Sequence, residues 1–146
     1  MAKVFEIAIC KKSKDQMTSV NNVEVKASRG LVNDRYFMEN NDIKSQITLI
    51  EIENISEYNK TFETSILPIQ FRRNIITEGL KLNELVGKEF FVGEVKLKAH
   101  DLCRPCKYLQ EKLNKENIVK EFLHKGGIRC EILCNGKIYV GDKIKL

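Results

Sequence analysis

The chain has 146 residues, 42% hydrophobic and 31% charged, enough for one sizeable core, and its patterned apolar runs exclude disorder as the ground state. Net charge is +5 from 25 basic and 20 acidic residues, and the densest basic cluster (Lys11, Lys12, Lys14) runs straight into Asp15, so an anionic small ligand is expected and nucleic acid is not. No apolar stretch nears the roughly 20 residues of a membrane span, and Glu6 interrupts any export signal, which makes the expected location cytoplasmic, without a membrane partner.

In chain order, Val4 to Cys10 alternates as a half-buried strand, and Val23–Ala27 repeats the period of two. Ser28 to Tyr36 reads as a loop, with Gly30 and Asn33-Asp34 as turn residues. Gln46 to Ile50 is a short apolar strand, followed by a helix carrying Ile52, Ile55 and Tyr58 at helical spacing. Pro68 breaks the chain before a strand over Ile69 to Ile76. Gly79 and Leu80 to Val86 make a turn and short helix closed by Gly87, and Phe90 to His100 reads as a hairpin about Gly93. From Pro105 to about Leu123 the pattern is helical, with Leu109, Leu113, Ile118 and Phe122 on the apolar stripe. Asn135-Gly136 between Ile128–Cys134 and Lys137–Val140 signals a second hairpin, and Lys143 to Leu146 a last strand. Many short strands around one core predict a mostly β fold, a barrel or closed sandwich with a few short helices, in a single domain over 1–146.

The five cysteines (10, 103, 106, 130, 134) are an odd set in a chain with no export signal, so a disulfide framework is not expected. Cys130 and Cys134 read as inert strand thiols. Cys103 and Cys106 differ, because Leu102-Cys103-Arg104-Pro105-Cys106-Lys107 sets them in a turn among cations. Pro105 at a helix start places Cys106 in the first turn, where the dipole, Arg104 and Lys107 favour the thiolate. Such a thiolate suits sulfur transfer, redox exchange or metal ligation. Zinc is the weaker candidate. His100, Cys103 and Cys106 need a fourth ligand, and Cys130 and Cys134, about 13 Å apart on one strand, cannot both reach the ion. That leaves Cys130 or His124 alone.

Phe71-Arg72-Arg73-Asn74 is a second constellation. In a strand Arg72 and Asn74 share one face, a guanidinium fork for phosphate or carboxylate beside an amide for polar ring atoms. Lys125-Gly126-Gly127-Ile128-Arg129 is a third, with glycine amides accessible to an anion but no P-loop or dinucleotide fingerprint.

In this order the motifs resemble the MOSC domain, the module related to the C-terminal part of molybdenum-cofactor sulfurases. The matching stretches are Gln46–Ile50, Phe71–Thr77, Leu82–Gly87, Leu102–Leu109, Gly126–Arg129 and Val140–Asp142. The resemblance implies a barrel-like β fold with a cleft for the molybdenum cofactor, an anionic pterin. It assigns Cys106 as sulfur carrier, for sulfur transfer, or as molybdenum ligand, for a cofactor-dependent reduction, with Cys103 its neighbour. It assigns Arg72, Asn74 and Thr48 to the cofactor; beside these, Arg129 and the Gly126-Gly127 turn are read here as completing an anion-binding wall. Where the family carries a Gly-Asp-Arg-His-like run, this chain has Asn33-Asp34-Arg35-Tyr36, so any role of that histidine is lost. No pyridoxal-phosphate domain is present, so sulfur would come from another protein, such as a cysteine desulfurase, or pass to a molybdoenzyme. The alternative functions are a non-catalytic cofactor carrier or interaction module, or a structural zinc site at the paired cysteines.

Overall fold

Alternating apolar and polar side chains send most of the chain into strands in the computed structural model, which describes residues 1–146. The elements are β1 (Lys3–Ile9), β2 (Thr18–Val20), β3 (Asn22–Lys26), β4 (Gly30–Leu31), β5 (Ile47–Glu51), α1 (Ile52–Phe62), β6 (Ile75–Glu78), β7 (Glu89–Val92), β8 (Val95–Leu102), α2 (Lys107–Leu113), α3 (Ile118–Glu121), β9 (Ile128–Ile132), β10 (Gly136–Tyr139) and β11 (Ile144–Lys145). Eight strands make one sheet in the order β11-β7-β8-β9-β5-β6-β1-β2, and β10-β3-β4 make a second. All pairs are antiparallel except β5 and β6, which α1 connects as a parallel crossover.

The large sheet curls until its ends approach. Val4 N–H donates to Asp142 O at 2.8 Å, Gly141 N–H to Val4 O at 2.9 Å and Ile144 N–H to Ala2 O at 3.0 Å, with a bridge between Lys3 and Lys143. This seam ties β1 to the segment entering β11, so the sheet is barrel-like. Inside lies a cluster of 20 buried residues, among them Ile7, Leu49, Ile75, Phe90 and Leu97. On the outer face α1, α2 and α3 cover a second cluster of 13, among them Ala8, Ile50, Ile76, Phe71 and Phe122. Strands β1, β5 and β6 are thus buried on both faces, with Ile7/Ala8, Leu49/Ile50 and Ile75/Ile76 dividing between the clusters. The Phe122 ring lies 4.7 Å from Phe71 and 5.4 Å from Tyr58, centroid to centroid; truncating such a buried ring to alanine costs about 3–5 kcal/mol.

Four sequence expectations change. The strand over Ile69 to Ile76 is a 3₁₀ turn at Pro68–Phe71, then Arg72 in the left-handed region (φ 65), with β6 beginning only at Ile75. Pro68 presets that turn, and the Gln70 side chain accepts the Leu67 N–H at 2.7 Å. The long helix after Pro105 is two short ones, because Asn114 turns left-handed (φ 55) after α2. Asn135-Gly136 forms no hairpin: neither residue has positive φ, and β10 leaves β9 to pair with β3. There Asn135 Oδ1 accepts the Ala27 N–H at 2.8 Å, capping the end of β3 instead of closing a turn. The loop over Ser28 to Tyr36 contains β4, and β2 is an edge strand without its own apolar period.

Candidate functional site

Five segments converge on one open cleft of about 280 Å³, lined by Ser13, Lys14, Arg35, Tyr36, Arg72, Arg73, Arg104, Cys106, Tyr108, Leu109 and Arg129. The lining holds five arginines, a lysine and a thiol, and no carboxylate. Arg104 pairs with Asp101 at 3.3 Å, and buried Arg35 with Asp34 at 3.6 Å. Arg72, Arg73, Arg129 and Lys14 have no carboxylate partner. A concave wall with one sign of charge concentrates anions.

Each cation is placed by backbone geometry. The loop after β1 reaches the cleft because Cys10 accepts the Arg35 N–H through its carbonyl (2.6 Å) and donates its own N–H to Asp34 Oδ1 (3.0 Å), joining that loop to Arg35 and Tyr36. The Arg35 guanidinium lies 4.5 Å from the Tyr36 ring centroid. Arg72 extends its Nη1 to the Asp15 carbonyl at 2.6 Å. It also walls a neighbouring cleft of about 290 Å³ formed with Met17, Leu67, Ile69 and Leu113. Arg129 comes from β9, its Nη1 on the Lys44 carbonyl at 3.3 Å.

Arg73 is buried, only 9% exposed. Its Nε donates to Gly126 O at 2.8 Å, Nη1 to Phe71 O at 3.2 Å and Nη2 to Cys103 O at 3.4 Å. Burial pushes its pKa below the ordinary arginine value; the Cys103 and Cys106 thiols pull it up, while Arg129 and Arg35 push it further down. A strand would send Arg73 away from Arg72, which is why alternation misses it. The left-handed turn at Arg72 cancels that alternation, so both border the cleft. Arg35 is likewise not among the sequence-derived candidates, because its segment reads as a turn-rich loop that lacks the family's histidine.

Cys106 is exposed and lies just outside α2 as its N-cap (φ −116, ψ 167), not in the first turn, and its side chain makes no hydrogen bond to the helix amides. Its backbone carbonyl accepts the Gln110 N–H at 3.1 Å. Cys103 is buried, its N–H on Gly127 O at 2.7 Å. Cys130 is buried on β9, where burial pushes its thiol pKa far up and nearby Cys103 adds to the shift. Cys134 lies beyond β9, half-exposed, accepting the Lys96 N–H.

Thr48 and Asn74 bind one another outside the cleft lining. Asn74 Oδ1 accepts from Thr48 N–H and Oγ1, both at 3.2 Å, while its Nδ2 donates to Ala8 O at 3.2 Å. Gly126 and Gly127 also lie outside the lining. A Cβ on Gly126 would strike the Cys103 carbonyl, and one on Gly127 (φ 101) the Leu49 carbonyl; the pair lets the chain entering β9 pass closely between the Cys103 turn and β5. Of the residues singled out from sequence, the cleft therefore gathers Cys106, Arg72 and Arg129. No three His, Cys, Asp or Glu side chains meet in a metal-binding group, and His100 is held by Glu131 at 2.8 Å, so the zinc alternative finds no ligand set.

The MOSC domain model matches residues 22–145. The YuaD protein from Bacillus subtilis superposes with a TM-score of 0.84 at 20% identity, over 98% of this chain and 93% of that one. YiiM from Geobacillus stearothermophilus gives 0.82 at 17% identity, over 100% and 75%. YiiM from Escherichia coli gives 0.70 at 19%, over 99% and 67%. No curated protein matches the chain at a significant level. No helix is long and apolar enough to cross a membrane.

Proposed function

The chain belongs to the MOSC domain family, a family associated with molybdenum-cofactor proteins, and from its cleft we propose that it binds that cofactor, an anionic pterin, and carries sulfur on Cys106. The observation carrying this reading is one wall that combines four cations lacking carboxylate partners with an exposed thiol. The donor set fits the group. Guanidinium forks match phosphate oxygens bidentately, and a thiol suits both sulfur transfer and molybdenum. Bound, the cofactor would supply a metal centre for sulfur or oxygen transfer.

Arg73 and Arg129 hold the phosphate end, and Arg72 exchanges its bond to the Asp15 carbonyl for the ligand. Tyr36 and Tyr108, both exposed on the rim, offer faces to a flat ring. The Cys106 thiolate attacks the outer sulfur of a donor persulfide. A new S–S bond forms on Cys106, and the donor thiolate leaves with the electron pair of the broken one. A cysteine desulfurase fits as donor and a molybdoenzyme as recipient.

Protein purified without air tests this by metal analysis and by the fluorescence of oxidised pterin. The expected result is molybdenum and pterin in proportion to chain. Absence of both after incubation with free cofactor, in a protein whose Cys106 still alkylates, overturns the reading.

A further inference from the structure

Binding of a pterin leaves the depth of Arg73 unexplained, since a rim cation would serve a phosphate as well. The residue is 9% exposed, has no carboxylate partner, and spends one N–H each of Nε, Nη1 and Nη2 on carbonyls. A guanidinium carries five N–H donors, so one N–H on each terminal nitrogen has no acceptor within the protein, and the side chain borders the cleft. A buried cation without a counter-ion is costly, and an oxyanion seated on that two-pronged fork offsets the cost.

The wall around it restricts the chemistry. No His, Asp or Glu lines the cleft, and arginine does not surrender its proton near neutral pH. Lys14, Tyr36 and Tyr108 also line it, and a leaving group that departs as a stable anion needs a proton from none of them. Cys106 is the one thiol in the lining, and it and Arg73 lie within electrostatic reach. Thiolate exchange at sulfur needs no general acid when the departing group is itself a weak base.

We propose that, besides a protein persulfide, the cleft takes sulfur directly from a small thiosulfonate anion, a sulfonate bearing a terminal sulfane sulfur, with Arg73 and Arg129 gripping the sulfonate oxygens and Cys106 taking the sulfane atom. This rests on the sulfur-carrier reading and adds a small-molecule class of donor. Thiosulfate is the simplest member. The Cys106 thiolate attacks the sulfane sulfur and forms a new S–S bond. The bond from that atom to the sulfonate sulfur breaks, and its electron pair leaves with sulfite. Three negative charges enter, on thiolate and thiosulfate, and three leave, on the Cys106 persulfide and sulfite, so no proton moves. A thiophile such as cyanide then takes the outer sulfur as thiocyanate and returns the thiolate.

The test incubates the purified chain with thiosulfate and cyanide without air, measuring sulfite, thiocyanate and intact mass. The expected result is sulfite and thiocyanate in equal amounts, with a species one sulfur heavier that maps to Cys106 and is lost in Cys106→Ser. Arg129→Gln should raise the thiosulfate concentration for half-maximal rate about tenfold or more. It should leave the labelling of Cys106 by methyl methanethiosulfonate, a neutral thiosulfonate ester, within about threefold, the scale of one partly screened charge. Labelling by the neutral ester with no sulfite from thiosulfate overturns the proposal, as does an Arg129→Gln variant slowed equally with both reagents. Pterin fluorescence on the same preparations separates the readings: pterin bound without sulfite release removes the donor class alone, and persulfide formed without pterin binding removes the cofactor alone.

Discussion

Asn74→Ala distinguishes a residue that holds ligand from one that holds the barrel. Asn74 sits just before β6, between β1 and β5, and its side chain extends both ladders by one step. In an antiparallel pair the N–H and C=O of one residue point to the same neighbour. The Ala8 N–H donates to the Asn74 backbone carbonyl at 2.7 Å, and the Ala8 carbonyl accepts from Nδ2 at 3.2 Å. On the other side Oδ1 accepts the Thr48 N–H at 3.2 Å. Alanine leaves the Thr48 N–H and the Ala8 carbonyl without these partners, at about 1–3 kcal/mol for each fully buried group. Thr48 is only half-buried, so its share lies at the low end and the total is about 2–4 kcal/mol. A urea slope of about 1–3 kcal/mol per molar turns that into a midpoint lower by about 1–2 M. Equilibrium unfolding followed by circular dichroism reads it. A midpoint unchanged within about 0.3 M, less than a single hydrogen bond's worth, together with lost cofactor binding would refute the reasoning and return Asn74 to the ligand.

Alkylation at pH 7, mapped by mass spectrometry, should label exposed Cys106 first, half-exposed Cys134 next, and buried Cys10, Cys103 and Cys130 slowest; Cys103 labelled ahead of Cys106 would break the assignment. Arg72→Lys should weaken pterin binding by about 1.5–3 kcal/mol although the charge stays, because the planar fork is lost; an unchanged affinity by fluorescence titration removes Arg72 from the site. Burial raises the Glu51 carboxyl above its usual pKa, partly offset by the Leu82 N–H, with Glu53 adding to the rise. Its ionised form is therefore disfavoured in the fold, and the stability of the protonated form is lost as pH rises through the folded pKa. Glu51→Gln should accordingly raise the urea midpoint at pH 7 and give no gain at pH 3, and a loss at pH 7 contradicts the sign.

Where one local pattern decides, the sequence was a sufficient guide. Val95, Leu97 and Ala99 alternate with Lys96 and Lys98, and β8 buries that set. Asn135-Gly136 deceived because its turn preference is local, whereas the Ala27 N–H that claims the Asn135 side chain lies 108 residues away. Arg72 and Arg73 deceived for a related reason: nothing in an arginine's chemistry announces a positive φ, and that single dihedral brings Arg73 to the cleft. The resemblance located Cys106 and Arg72, and the cleft gathers both. Phe71 and Asn74 are buried on either side of both arginines, so the sequence alone does not single out Arg73 as the buried one. Thr48 and Asn74 share a polar composition with ligand-binding residues, and composition does not distinguish an amide facing a ligand from one completing a sheet.

The seam between Lys3 and Lys143 joins positions nearly a full chain length apart. Chain entropy opposes such a contact more than any nearby pairing, so it becomes favourable only once the intervening strands have shortened the loop it closes. The unit β5–α1–β6, contiguous in sequence apart from one connection, has no such handicap. Assembly of this barrel should thus run outward from its two-sided middle and end at the zipper. Until then the start of β1 and the segment entering β11 present unpaired backbone to other copies of the chain, so crowded refolding should lose material to intermolecular strand pairing before closure, and dilution should restore the yield.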